Sequence, residues 1–108
     1  MKTNSVLHDI TALRLSAADA CCLLKVLANE DRLLILCELN QGTRNVGELE
    51  ELLDIHQPTL SQQLTILREE KLVATERKGK YIYYSLASQE AVKIMETLFN
   101  LYCKGHAT

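Results

Sequence analysis

No apolar run in this 108-residue chain approaches the roughly 20 residues needed to cross a bilayer. Met1–Leu15 does not read as a signal peptide, because Asp9 and Arg14 interrupt any apolar stretch. The chain is therefore expected to be cytoplasmic. It has no low-complexity tract, internal repeat or interdomain linker, and no phosphate-binding glycine loop. Cys-x-x-Cys is absent and no evident base stands beside any thiol, which argues against a thiol enzyme. No cofactor is expected. Four cysteines are present, and in a reducing compartment they are not a static disulfide framework. The length supports one domain, small enough that pairing with a second copy would help to bury its surface.

The formal charge of -2 looks wrong for a nucleic-acid binder until it is divided along the chain. Residues 1–56 carry five basic and nine acidic side chains. Residues 57–80 carry Arg68, Lys71, Arg77, Lys78 and Lys80 against only three glutamates, and residues 81–108 balance. The basic excess therefore sits in one short stretch, where a phosphate backbone would be met. A charge run taken alone is more often a solvated face.

The apolar pattern predicts a mostly helical fold with one hairpin, in the order α-α-α-α-β-β-α. Ser16 suits the N-cap of a first helix running to Ala28, with Leu7, Ile10 and Leu13 allowing an earlier start. Residues 1–15 are read as an arm or extension of that helix, 16–104 as the domain and 105–108 as a tail. Asn29 caps a second helix, apolar around most of its circumference from Leu33 to Leu39, which should be central and buried. Asn45-Val46-Gly47-Glu48 matches a capping box and opens a short third helix to Leu53. Asp54-Ile55-His56 makes a turn, and Gln57 then stands as N-cap before Pro58 at the first position of a helix to about Glu70. Two short helices joined by so tight a turn describe a helix-turn-helix. Leu72–Arg77 and Tyr81–Leu86 are strand-like around Lys78-Gly79-Lys80, a β-hairpin wing. Ser88 caps a last helix to about Lys104, whose broad apolar face suggests dimerisation with the first helix.

With Leu60, Leu64 and Leu67 turned inward, Gln62 and Thr65 point directly outward, Thr59 and Ser61 flank them, and Gln63 lies nearer the core. Such a short, uncharged set fits a major groove, where Gln pairs with adenine and Ser or Thr bonds bases or phosphates. Gln57 stands at the start of the same helix. Arg68, Lys71, Arg77, Lys78 and Lys80 are the expected backbone contacts. A solvated polar helix face is the bland alternative; the run of short helix, Pro-started helix and basic hairpin weighs against it.

At these residues the chain resembles the ArsR/SmtB family of winged helix-turn-helix repressors, over about residues 17–104. The resemblance is carried by Leu27-Ala28-Asn29-Glu30-Asp31-Arg32-Leu33-Leu34-Ile35-Leu36, by Val46-Gly47-Glu48-Leu49, and by Gln57-Pro58-Thr59-Leu60-Ser61-Gln62-Gln63-Leu64. Asn29-Glu30 replaces the family's frequent His-Pro, and Gln63 stands where a His is common, a change that bears on operator preference. The resemblance implies a homodimer reading an inverted repeat in double-stranded DNA, its recognition helices about 34 Å apart.

Metal sensing is the family's usual property, but its ligands are missing. There is no Cys pair near Val46-Gly47-Glu48-Leu49, and residues 88–102 contain neither His nor Asp. No metal site is expected. Cys37, in the second helix, and Cys103, near the end of the last, instead match a dithiol subgroup, BigR/HlyU-like. That likeness implies a sensor of reactive sulfur species or oxidants, in which the two thiols form a disulfide or polysulfide bridge and the operator is released. Which thiol attacks first stays open; exposure would favour Cys103, and Lys104 and His106 lie beside it. A lone Cys at either place is more often a packing residue. Cys21 and Cys22 are taken as packing residues, His8 and His56 as surface and turn residues, and the wing tyrosines as packing. The rivals are a metal-responsive repressor and a winged-helix module that binds protein.

Overall fold

The computed structural model describes residues 9–103. Five α-helices and a three-stranded antiparallel sheet follow in order: α1 (Ile10–Leu27), α2 (Glu30–Leu39), β1 (Arg44–Asn45), α3 (Val46–Leu53), α4 (Thr59–Glu69), β2 (Val73–Lys78), β3 (Tyr81–Leu86) and α5 (Gln89–Leu98), which continues as a π-helical turn over Phe99–Cys103. The expected α-α-α-α-β-β-α order holds, with β1 as an addition. Strand order is β1-β3-β2.

Capping chemistry sets most boundaries. Asn29 Oδ1 accepts from the Arg32 N–H at 2.9 Å, as expected for the start of α2. At α3 the capping box is complete: Asn45 Oδ1 accepts from Glu48 N–H, and Glu48 Oε1 from Asn45 N–H. Ser88 caps α5 through the Ala91 N–H. Three expectations are corrected. Ser16 lies inside α1, whose cap is Asp9, accepting from Thr11 and Ala12 N–H; the earlier start that Ile10 and Leu13 allowed is the one adopted, so part of the span read as an arm or helix extension is helix. Pro58 is the N-cap of α4 rather than its first residue, and Gln57 precedes it. The last α-helix stops at Leu98, and a wider π-helical turn carries the chain to Cys103.

α4 ends without glycine. Lys71 takes a left-handed conformation at φ 64, Leu72 N–H reaches Leu67 O and Lys71 N–H reaches Arg68 O. These are the two bonds of a Schellman stop, and the buried Leu72 supplies its apolar contact. The chain thus turns directly from α4 into β2. In the wing, Lys78 pairs with Tyr81 across Gly79, whose φ of 64 suits a residue without a Cβ. Arg44 and Asn45 add to β3 opposite Tyr84 and Tyr83. This two-residue pairing is too short to announce itself by alternation.

The core forms where α2, α3, α4 and α5 meet the root of the wing. Ile35, Leu36, Leu49, Leu60, Leu64 and Leu67 are its largest fully buried side chains. The second helix is central as expected, though Leu34 on its outer side is exposed. α1 stands apart: of its 18 residues only Val26 and Leu27 are buried. No helix among the described residues is long and apolar enough to cross a membrane.

Candidate nucleic-acid interface and thiol pair

Leu60, Leu64 and Leu67 fasten one side of α4 to the core. That leaves Ser61, Gln62, Thr65 and Arg68 exposed on the other, with Thr59 half-buried. The helix start is set by side chains: Gln57 Oε1 accepts from Ser61 N–H at 3.0 Å and from Ser61 Oγ–H at 2.7 Å. Thr65 Oγ1 donates to Ser61 O at 2.9 Å. The two hydroxyls are thereby oriented, each keeping acceptor lone pairs outward, while the Gln62 amide has no protein partner among the described residues. An unengaged amide on an exposed helix face is chemically free to pair with a base edge.

Gln63 is different. Its Oε1 accepts from Arg32 Nη1 at 2.9 Å, so the amide oxygen is held inside the protein. Arg32 carried no functional expectation in the sequence beyond its place in the family motif, yet its guanidinium joins three elements. Its other donors go to Val26 O at 2.6 Å and Lys25 O at 3.3 Å.

The turn between α3 and α4 is fastened by His56, as a turn residue should be. Its Nε2 lies 2.8 Å from Asp54 Oδ1, and its Nδ1 lies 3.4 Å from Glu50 Oε2.

Beyond the helix the expected cations divide. Lys78 Nζ lies 5.6 Å from the Tyr83 ring centroid, and Lys80 Nζ 5.5 Å from that of Tyr81. The two rings meet edge-on, 6.4 Å apart. This ladder stiffens the wing tip, each such contact being worth about 0.5–1 kcal/mol at an exposed site. An ammonium over a ring still has donors for a phosphate. Arg77 pairs with Ile82 in the register and so belongs to the opposite face of the hairpin. The wing tyrosines pack as expected, Tyr81 and Tyr83 on each other and Tyr84, with Leu86, against the core.

Cys37 and Cys103 are both free, Cys37 half-buried and Cys103 exposed. They line one cleft of about 360 Å³ together with Leu34, Leu98, Phe99 and Tyr102. The π-helical turn delivers Cys103 to the α2 side. Burial pushes the Cys37 thiol up from its ordinary value, and charge on Cys103 pushes it further. A raised thiol pKa means less thiolate at neutral pH and slower nucleophilic attack. Alkylation by a neutral maleimide near neutral pH should therefore label Cys103 well before Cys37. The lag should shrink as pH rises through the raised Cys37 value, because the Cys37 thiolate then forms. Equal labelling rates, read by peptide mass at several pH values, would exclude this order. Lys104 and His106, expected beside Cys103, lie outside the described residues, as do Leu7 and His8.

Cys21 and Cys22 are exposed on α1, contrary to the expectation that they pack. Cys22 shares a cleft with Glu70, Leu72, Ser88 and Glu90, but the core covers little of α1 before its C-terminal end, and both thiols stay exposed. Among the described residues no group of three or more His, Cys, Asp or Glu side chains is placed to hold a metal ion.

A short helix, a tight turn, a second helix with a polar outer face and a basic hairpin together make a winged helix-turn-helix, the architecture of DNA-binding transcriptional regulators. Residues 29–75 match the family model for the bacterial regulatory protein, arsR family. The biofilm growth-associated repressor of Agrobacterium fabrum is 47% identical over 94 residues, which are 87% of this chain and 80% of that one. Reduced HlyU from Vibrio cholerae aligns with a TM-score of 0.81 at 42% identity, covering 84% of this chain and 96% of its own. The transcriptional repressor BigR from Xylella fastidiosa aligns at 0.79 with 38% identity, covering 89% and 95%. The chain belongs to the arsR family of bacterial regulatory proteins, and its relatives fit the BigR/HlyU-like subgroup.

Proposed function

We propose that the chain is a homodimeric repressor that holds an inverted-repeat operator while Cys37 and Cys103 are reduced, and releases it when they are bridged. The observation that carries the effector half is the shared cleft: two free thiols, from α2 and from the turn after α5, line one apolar space. The dimer half is supported by surfaces left bare in one chain. Ile10, Leu13 and Leu24 on α1, and Phe99, Leu101 and Tyr102 at the other end of the sequence, are all exposed. So much uncovered apolar area on two elements is what a self-pairing interface would bury.

The proposed DNA contacts follow from their place on the outer side of α4, at its start and on the wing. Gln57, Thr59, Ser61, Gln62 and Thr65 serve the groove and its edges, and Arg68, Arg77, Lys78 and Lys80 serve phosphates. The thiol chemistry balances with an organic persulfide as oxidant. Exposed Cys103 takes the outer sulfur, R–S–SH losing R–SH. Cys37 then attacks the inner sulfur of the Cys103 persulfide, expelling H₂S and leaving a disulfide. If both thiols carry an extra sulfur, the same loss of H₂S leaves a three-sulfur bridge.

The test is binding to a selected operator at fixed salt in three states: reduced, treated with an organic persulfide, and treated with stoichiometric zinc, cadmium or arsenite. Intact mass is read on the same samples. Persulfide should weaken binding at least tenfold and leave an intrachain Cys37–Cys103 crosslink, in Cys21→Ser and Cys22→Ser variants as in the unmodified protein. Release by metal alone would make the thiols ligands and the effector assignment wrong. If neither treatment changes binding, Cys37 and Cys103 are packing residues in a regulator without this switch.

A further inference from the structure

The Arg32 guanidinium sits where α1, α2 and α4 converge. At the end of α1 the Ala28 N–H goes to Leu24 O and the Asn29 N–H to Leu27 O. The carbonyls of Lys25 and Val26 are therefore passed over by the backbone, among the acceptors every helix C-terminus leaves open. Arg32 fills both, with Nε on Val26 O and Nη2 on Lys25 O. A cation is favoured there by the negative end of the helix. Its remaining arm, Nη1, holds Gln63 Oε1 on α4. Arg32 makes no ion pair with a described carboxylate, so its charge is spent on these three neutral oxygens.

We infer that Arg32 is a positioning residue for operator recognition: a strut that fixes the reading helix against the end of α1 and so sets the separation of the two reading heads. Gln63 is its internal acceptor, acting through the protein rather than on a base. The inference rests on the homodimer reading above, in which α1 belongs to the interface. α1 packs on its own chain's core only through its C-terminal part, by Leu23, Val26 and Leu27. The angle between the dimer helix and the reading helix is therefore decided where Arg32 sits. One base pair added between half-sites shifts the second head by about 3.4 Å and turns it by about 35°, so a stiff strut should make binding sensitive to that change.

The probe is an operator selected by the unmodified protein from a randomised duplex library, resynthesised with one base pair inserted or removed between half-sites. All measurements use the reduced full chain, with thermal unfolding run beside them. The unmodified protein should prefer its own spacing at least tenfold. Gln63→Met, similar in size but without an acceptor, should reduce that preference to less than threefold while leaving base discrimination within each half-site. Gln63→Glu keeps an acceptor for Arg32 and should keep the preference. Arg32→Met combined with Gln63→Met should be no worse in spacing preference than Gln63→Met alone. Gln62→Ala, on the free face, should do the reverse and lose base discrimination at unchanged spacing preference. An undiminished spacing preference in Gln63→Met overturns the strut. Loss of discrimination at one base pair in Gln63→Glu makes Gln63 a base reader and overturns it too. A wild-type complex with one chain per duplex, read by sedimentation, would remove the homodimer reading and the strut with it. Since Arg32→Met can fail to fold by freeing two helix carbonyls, the two Gln63 variants decide the question.

Discussion

Affinity for the operator should fall by about 10³ to 10⁵ between 50 mM and 200 mM salt, the loss expected for 6–10 neutralised phosphates. Arg68, Arg77, Lys78 and Lys80 from each chain of a dimer give a number in that range. The sign is not trivial, because the protein as a whole carries -2. A net anion should be repelled by DNA at long range, and only its local distribution makes binding possible. The four cations lie on the last turn of α4 and along the wing, Arg77 on the other face of the hairpin from Lys78, and all are exposed, whereas the acidic excess belongs to residues 1–56. Fluorescence anisotropy across a salt series gives the slope directly. Lys78→Ala should flatten it by about 2 in a dimer, one contact per chain, while sequence preference stays unchanged. Tyr83→Ala removes the ring under Lys78 and should weaken binding less, since the cation itself remains. A slope near zero would take the phosphate contacts away from this surface and favour a protein partner for the winged helix.

Most of the scaffold was legible because its signals are local. A capping residue bonds within three positions, and Asn29, Asn45 and Ser88 each do so. The Leu60, Leu64, Leu67 spacing needs only the period of a helix to assign an inner face. What escaped depends on the whole fold or on rarer geometry. β1 is two residues long and exists only because β3 is beside it. The π-helical turn before Cys103 follows no period that a sequence displays. Lys71 in a left-handed stop gives no glycine to read. Asp9 displaced Ser16 as the cap of α1 because the apolar positions allowed both starts and only one has the bonds. Arg32 and Gln63 are 31 positions apart, and nothing in either segment announces the other. The same holds for the thiol pair: family likeness placed Cys37 and Cys103, but only the packing of α5 on α2 sets them in one cleft. The exposure of Cys21 and Cys22 follows from how little of α1 the core covers before its C-terminal end, a property of one chain that periodicity cannot register.

Leu60→Ala should destabilise the fold by about 2–5 kcal/mol, the range for removing a buried leucine side chain. Leu60 has no exposed surface and lies in the first turn of α4, within the aliphatic core. Removing three methylene-sized groups forfeits their transfer energy, and the surrounding leucines cannot all move into the space. Against a total stability of about 5–15 kcal/mol this is a large share. In a domain of this size each 1 kcal/mol shifts the melting temperature by about 4–8 °C. A fall of roughly 8–40 °C is therefore expected by circular dichroism, at one fixed chain concentration because a dimer's melting point depends on it. Gln62→Ala is the informative comparison. It lies two positions along the same helix and is fully on the outer face, so its melting point should stay within a few degrees while operator discrimination is lost. The two variants thus separate the inner face of α4, which holds the helix in place, from the outer face, which does the reading. If Leu60→Ala melts within about 1 kcal/mol of the unmodified protein, the recognition helix is not anchored as the packing indicates. In that case the orientation of its outer face cannot be what presents Gln62, Ser61 and Thr65 to DNA.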